Sequence, residues 1–599
     1  MRNRRAVWYC SSPWPGRNLV VQLMAVGIAF GVLCGGWLRG ESAKPPIGAG
    51  EKPSESAKSS VAAEKSGEQA PKPDQAKKPE PGQGKPAAKP RWPVSRETTY
   101  FTEPLDKDGY VDYVAAWDAH FSKGVQPEKN AYVRLIQALG PRPAIPNRVP
   151  DEFFRKLGIE PLPDKGEYFV SYWAFIREKA KPQQDREWQQ HTDNLRQARQ
   201  RPWKQQDFPL IAEWLQVNQK PLQIIAEAAE RPQWFRPLVL LESADKRSSL
   251  QFVGLSGLHL LPDVAQAYLT RSMWHCAQGQ NKQAWQDILT ALRLARTVSQ
   301  DPMLISTLFA IAMENLAHQT IVHYLEFTQP DAKTSLSYYR DLQNLRPRRP
   351  LAEIVDQGER LVALDTIQLF YRYGWVALDD SEQDGVLSTL QHRFMQRILP
   401  WKKMLVIANQ YYDLLALAAN EPDRARRLEA YESLYQKLQR ALARIYDVTL
   451  LDLPMLMFKF GDDLGERIIY LLLYLVSPAM LRVQNAVDQC DQYHQLILVA
   501  LALEMYRAET GQYPVKLEDL SPKYMPAVPK DIFCGYLPIY RRTERGYVLY
   551  SVGLNGEDDG GRTREDNPRG DDLRIQIPNP FPNKTKPDAK SEPPEKKDS

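Results

Sequence analysis

Between residues 111 and 508 apolar positions recur at three- and four-residue spacing, most clearly over 132–139, 265–274, 284–295, 305–325, 361–371 and 404–417. That period gathers them on one stripe of an α-helix, so the pattern predicts a series of antiparallel helices stacked as hairpins. Proline-rich breaks at 141–150, 161–163, 346–350 and 421–422 separate the segments. One hairpin can be read more closely. Gly279 permits a tight connection, and Ala284, Ile288 and Ala291 take the inner positions of a tetratricopeptide-like pair, where small residues let two helices approach. No period of about 34 residues repeats that unit, which argues for a packing solution over a peptide-binding array. Residues 468–481 form the strongest apolar run of this region, interrupted at Ser477–Pro478. Their length predicts a core helix kinked at the proline; a second membrane span is the alternative.

Towards the C-terminus the period drops to two. Residues 537–542 and 547–552 read as strands joined by a turn at 543–546. Tyr547, Leu549 and Ser551 would share one face, with Val548, Tyr550 and Val552 on the other. Before them, Gly511 suits the left-handed residue after a helix end, and Pro514 stops further extension. Near the other end of the helical region, the Asp106, Asp108, Gly109 and Asp112 group fails the register of a calcium loop and reads as a turn into a helix.

The two ends of the chain depart from this pattern. Residues 19–38 are apolar except for Gln22, long enough to cross a bilayer, and preceded by Arg2, Arg4, Arg5 and Arg17. The charge asymmetry predicts a retained single-pass anchor, with residues 1–18 cytoplasmic and the bulk of the chain exported across the bacterial inner membrane. A cleaved signal peptide is the rival reading. Residues 39–92 are dominated by Pro, Lys, Ala, Glu, Ser and Gly, a composition too poor in apolar area to offset ordering entropy, so a disordered tether is expected there. Residues 578–599 return to that composition as a disordered tail.

Charge and cysteines change the picture only by exclusion. The 78 basic and 73 acidic side chains nearly cancel and do not cluster, which argues against a nucleic-acid surface. The five cysteines include no C-x-x-C pair, so neither a zinc knuckle nor a dithiol redox site is expected. The eight histidines show no metal spacing, and no nucleophile elbow or phosphate-binding glycine loop occurs. Glu314 and His318 lie one helical turn apart and share a face, either as an ordinary helix-surface or buried hydrogen-bonded pair or as part of an assembled catalytic site. Glu359, Arg360 and Asp365 place charges in an amphipathic helix, as a solvated face or a buried ion-pair network.

One resemblance stands out. A long apolar helix ends in Ala502, Leu503 and Tyr506, followed by Gly511, Tyr513 and Pro514, then by Tyr550, Ser551, Gly553 and Gly556. This order resembles the type IV pilin and type II secretion major pseudopilin family over residues 466–577. The whole chain resembles membrane-anchored bacterial proteins of this arrangement, a likeness that implies no activity. The family carries its helix at the extreme N-terminus; here it follows some 460 residues, and 461–466 lacks the aromatic residue expected after the cleaved glycine. The helical periodicity predicts a mainly α fold with a multi-helix antiparallel domain over 93–465, and the resemblance implies that a small α+β pilin-like module over 466–577 closes it. The resemblance also implies a calcium ion held by Asp558, Asp559, Asp571 and Asp572, with the carbonyls of Leu549 or Gly553. The expected function is interaction or structure in an envelope or secretion assembly, with a protein partner in the cell envelope. An exported, hydrolase-like enzyme with a site built from the helical domain is the alternative, and a pseudopilus subunit cleaved after Gly461 a third.

Overall fold

Asp112 ends the turn at 106–112 and accepts the Ala115 N–H at 3.0 Å, capping the first helix; Asp106 Oδ1 folds back onto the N–H groups of Asp108 and Tyr110. The aspartates that look like a calcium loop are therefore spent on turn and cap. The computed structural model of the protein describes residues 92–142, 148–238, 250, 257–374, 392–393, 395–446 and 461–579. The expected anchor, the tether apart from its last residue, and the tail from 580 onward lie outside the described residues.

The described chain is mainly helical. Helices α1 (Tyr113–Phe121), α2 (Ala131–Leu139), α3 (Asp151–Lys156), α4 (Tyr172–Lys179), α5 (Asp185–Gln200), α6 (Pro209–Val217) and α7 (Gln219–Glu230) lead into the long hairpins. These are α8 (Leu261–Ala277), α9 (Asn281–Val298), α10 (Leu304–Thr328) and α11 (Ala332–Gln343). Side-chain caps from Asn130, Ser171 and Asp331 start α2, α4 and α11. Gly279, at φ +71°, turns α8 into α9, and Ala284, Ile288 and Ala291 are buried on the inner side, as their spacing predicts.

After α11 come α12 (Leu351–Ile354), a π-helical turn over Val355–Glu359, and α13 (Arg360–Tyr373). Gly358 lies in the π turn against the backbone of Pro302; a Cβ there would come within 2.0 Å of the Pro302 carbonyl oxygen. Helices α14 (Trp401–Ala419) and α15 (Arg424–Tyr446) precede α16 (Gly461–Thr510), which is assigned without a break through Ser477 and Pro478.

Helix α16 organises the rest. It packs on α10, α11, α14 and α15 and carries the three-stranded antiparallel sheet. The sheet runs β1 (Ile539–Arg542), β2 (Tyr547–Ser551), β3 (Leu573–Ile577) in spatial order, with Ile539 opposite Tyr550 and Leu549 opposite Ile575. Tyr547 and Leu549 are fully buried, while Tyr550 on the other face packs under the loop that returns to β3, 3.4 Å from where a Gly561 Cβ would sit. Two apolar cores result. One joins residues of α2 through α11 to 496–503 of α16 and to the sheet; the other joins residues of α1, α13, α14 and α15 to Ile469, Leu473, Met480 and Val483 of α16. The boundary expected at 465/466 falls inside α16, and both cores use that helix. By length and composition α16 could cross a membrane, yet every residue from Leu496 to Leu503 is buried among protein side chains.

Candidate functional site

The interface between α9, α10 and α16 buries an ionic cluster. Glu314 of α10 is fully buried and accepts two hydrogen bonds from Arg348, through Nε and Nη2, each at 2.8 Å. Arg296 of α9 approaches the same carboxylate with Nη2 at 2.9 Å. Arg348 lies in the proline-flanked connection between α11 and α12; its Nη1 pairs with Asp491 and its Nη2 lies 3.0 Å from the Cys490 sulfur. Burial alone would raise the Glu314 pKa, but the two guanidiniums outweigh it and hold the carboxyl at about 2.

Glu314 and His318 do share a helix face, as their spacing predicts, but His318 takes a different partner. Its Nε2 lies 3.1 Å from His494 Nδ1, and its ring stacks on Tyr493. Burial, reinforced by the facing imidazole, pushes the His318 pKa well down, and burial with the nearby Arg296 charge brings His494 to about 4. Burial pushes the Cys490 thiol well above its ordinary range. At neutral pH the cluster thus holds an ionised carboxylate already neutralised by arginines, two neutral imidazoles and a protonated thiol.

One open groove of about 740 Å³ lies against this cluster. Arg296, Asp491 and His494 reach it from the ionic side, and Leu342, Leu498 and Met525 are among its apolar walls. Its volume suits a small ligand or a short peptide segment, for which roughly 300–1,000 Å³ is usual.

The Glu359–Asp365 charges are separate. Arg360 and Asp365 are buried and Glu359 is half-buried, so the solvated-face expectation is corrected: Arg360 pairs with Asp356 at 2.5 Å and Asp413 at 2.6 Å, and Asp365 accepts the Leu250 N–H at 2.7 Å. Glu359 accepts the Leu304 N–H at 3.2 Å, and its burial raises its pKa. Each tethers a chain crossing, and none lines the groove.

The acidic loop between β2 and β3 brings together three of its four expected carboxylates. One oxygen each of Asp559, Asp571 and Asp572 lie within 4.8 Å of one another. Asp558 is turned aside, accepting from the Tyr550 hydroxyl at 2.9 Å and the Gly560 N–H at 2.8 Å. Leu549 is paired on both sides within the sheet. Gly553 passes so close to the Asp571 backbone that a Cβ would come within 2.2 Å of its carbonyl oxygen. Backbone amides shape the trio: Asp571 and Asp559 donate to Asp559 and Asp572 at 3.0 and 3.4 Å, and Gly561 donates to Asp572 at 2.7 Å. Asp571 Oδ1 is left buried without a donor, and burial with the adjacent acidic charges raises the Asp572 pKa. Hard oxygens with an unsatisfied lone pair fit a calcium ion, which would draw its remaining ligands from backbone oxygens or water. Chelator is accordingly expected to lower the melting temperature of the protein, and an Asp571→Ala/Asp572→Ala variant to lose that response. A melting curve indifferent to chelator would show that the loop holds no cation.

Comparison with protein-family models, with curated proteins and with solved structures returns no match.

Proposed function

We propose that the protein is a membrane-anchored, exported interaction protein whose groove at α16 seats a segment of a cell-envelope partner. The observation that carries this reading is the state of the groups beside the groove. Glu314 is spent on two arginines, the imidazoles are held neutral and bonded to each other, and the thiol is held protonated, while the walls are apolar. General acid–base or nucleophilic chemistry needs a group poised near neutral pH, and this arrangement removes such groups from play. The exported-enzyme alternative would have to draw its chemistry from elsewhere.

The apolar segment at 19–38 and the tether to residue 92 supply the expected placement outside the membrane. The order of a long helix, the short helical turn Leu517–Leu520, an antiparallel sheet on the helix and an acidic loop supports a pilin-like character for the C-terminal module. A photo-crosslinking residue at Gln343, which lines the groove, is expected to capture a discrete envelope protein in intact cells. The same residue at Leu417, exposed on α14, should not capture it. Identical adducts from both positions, or none from Gln343, would overturn the groove as the contact surface.

A further inference from the structure

The two edges of the three-stranded sheet meet different surroundings. In the β1–β2 hairpin the Thr543 N–H donates to the Gly546 carbonyl at 2.9 Å, which makes 543 and 546 a hydrogen-bonded pair. Such pairs recur at every second residue of an antiparallel ladder, so Arg541 and Ile539 turn their backbone groups to β2, opposite Val548 and Tyr550. Tyr540 and Arg542 turn theirs outward. Tyr547 and Leu549, facing away from β1, bond to Ile577 and Ile575, which leaves Arg574 and Gln576 as the outward residues of β3. That second edge is covered: the Arg574 carbonyl accepts the Tyr493 hydroxyl at 3.3 Å, and β3 packs on α10 and α16. On the β1 edge, no hydrogen bond from a described residue reaches the outward main-chain groups of Tyr540 or Arg542.

An open edge is a template for another strand, and these two residues each offer it one N–H and one C=O. Arg541 and Arg542 are exposed, on opposite faces of the sheet, while Ile539 and Tyr540 are half-buried. Arg541 donates to the Gly560 carbonyl at 3.2 Å and Arg542 to the Tyr513 carbonyl at 3.1 Å; among the described residues neither pairs with a carboxylate. The acids nearby are engaged locally. Asp558 accepts the Tyr550 hydroxyl, and Asp519, whose charge reaches Tyr540, accepts the Lys516 N–H at 3.4 Å. Val515 and Tyr536 border the strand and, at 78% and 77%, are the most exposed large apolar side chains among the described residues. Val515 follows Pro514, whose carbonyl accepts the Tyr540 hydroxyl at 2.8 Å, and Tyr536 stands three residues before β1.

We propose that β1 is a docking edge, where an extended segment of a partner protein adds a fourth strand with an acidic side chain opposite Arg541 and apolar residues beside it. Opposite charges facing each other across two strands favour pairing, and like charges oppose it. The same rule disfavours a second copy of this chain as the occupant: a two-fold pairing that uses both Tyr540 and Arg542 sets the two copies of Arg541 directly against each other. The edge is separate from the groove, which neither Tyr540 nor Arg542 lines.

The test pans a displayed library of random decapeptides against the detergent-solubilised full chain, with counter-selection on its Arg542→Pro variant. Proline at 542 removes an outward N–H and leaves the bonds to β2, so the variant should keep its melting temperature. Peptides held by the wild type and lost on the variant should carry Asp or Glu among alternating apolar residues. N-methylation should weaken them by about tenfold at every second backbone amide and little at the amides between, because a strand bonds to its neighbour along one edge. Arg541→Glu leaves the main chain intact and should reverse the preference from acid to Lys or Arg by about two- to fivefold. The methylation pattern and this reversal stand on their own should the proline variant melt early. No peptide that distinguishes wild type from Arg542→Pro, binding without the alternating pattern, or a preference unmoved by Arg541→Glu would overturn the proposal. So would a dimer of the full chain that Arg542→Pro dissolves, since the occupant would then be a second copy.

Discussion

Glu314→Ala is expected to destabilise the protein by about 3–5 kcal/mol, the usual cost of removing one partner from a buried ionic group. The carboxylate is fully buried and is the shared counter-charge of Arg296 and Arg348, at 2.9 and 2.8 Å. Without it Arg348 keeps Asp491, but Arg296 loses the only ionic partner it has among the described residues, in a site where it is nine-tenths buried. The pKa leads to the same size of effect. A carboxyl held from an ordinary 4.5 down to about 2 reflects roughly 3 kcal/mol of preference for the charged form. Urea midpoints would read the loss directly. Replacing the whole triad, as Arg296→Met/Glu314→Leu/Arg348→Met, should recover most of it, because apolar groups of similar volume avoid the desolvation cost of three charges. A Glu314→Ala variant within about 1 kcal/mol of wild type would mean that water reaches the cluster and that it is not the buried triad described above.

That triad marks the limit of what the amino-acid order reveals. Helical periodicity, the Asp112 cap, the Gly279 turn and the alternation in 547–552 are legible because they depend on neighbours a few residues away. The partners of Glu314 are Arg296 on the preceding helix and Arg348, 34 residues on, and through that arginine Asp491 far along the chain; no local spacing connects them. His318 meets His494 across a separation of 176 residues. The same holds for Asp365, whose buried carboxylate answers the Leu250 amide and which sequence alone leaves open between solvent and core. Strand β3 has the alternating pattern LRIQI but sits between an aspartate-rich loop and a proline, and only its pairing with β2 makes it a strand. In the acidic loop, composition draws Asp558 in with its neighbours, whereas the Tyr550 hydroxyl takes it out of the trio.

The histidine pair should make the α10–α16 interface sensitive to mild acid. His318 and His494 face each other at 3.1 Å, and the groups around them are Arg296, Arg348, Glu314, Asp491 and the Tyr493 ring. The folded state depresses both imidazole pKa values, so it resists protonation while the unfolded chain takes protons up near its ordinary 6.5. The stabilising contribution of each is therefore complete above about pH 6.5 and is lost as the pH falls towards 4. For His494, at about 4 in the folded state, linkage gives a loss of about 2 kcal/mol between pH 7 and pH 5. Asp263 works in the opposite sense: burial raises it to about 7, so the folded state gains protons, and stability, as the pH drops below that value. The wild-type curve sums both, and the informative quantity is a difference. His494→Gln keeps a polar partner for His318 but cannot titrate, so the gap in urea midpoint between variant and wild type should narrow by about 2 kcal/mol, or reverse sign, on going from pH 7 to pH 5. Parallel profiles for the two proteins would show that His494 titrates as it does in water and that the α10–α16 interface is open to solvent. Below about pH 4.5 a second loss should follow in both proteins, as Glu314 is protonated in the unfolded chain while the arginines hold it ionised in the fold.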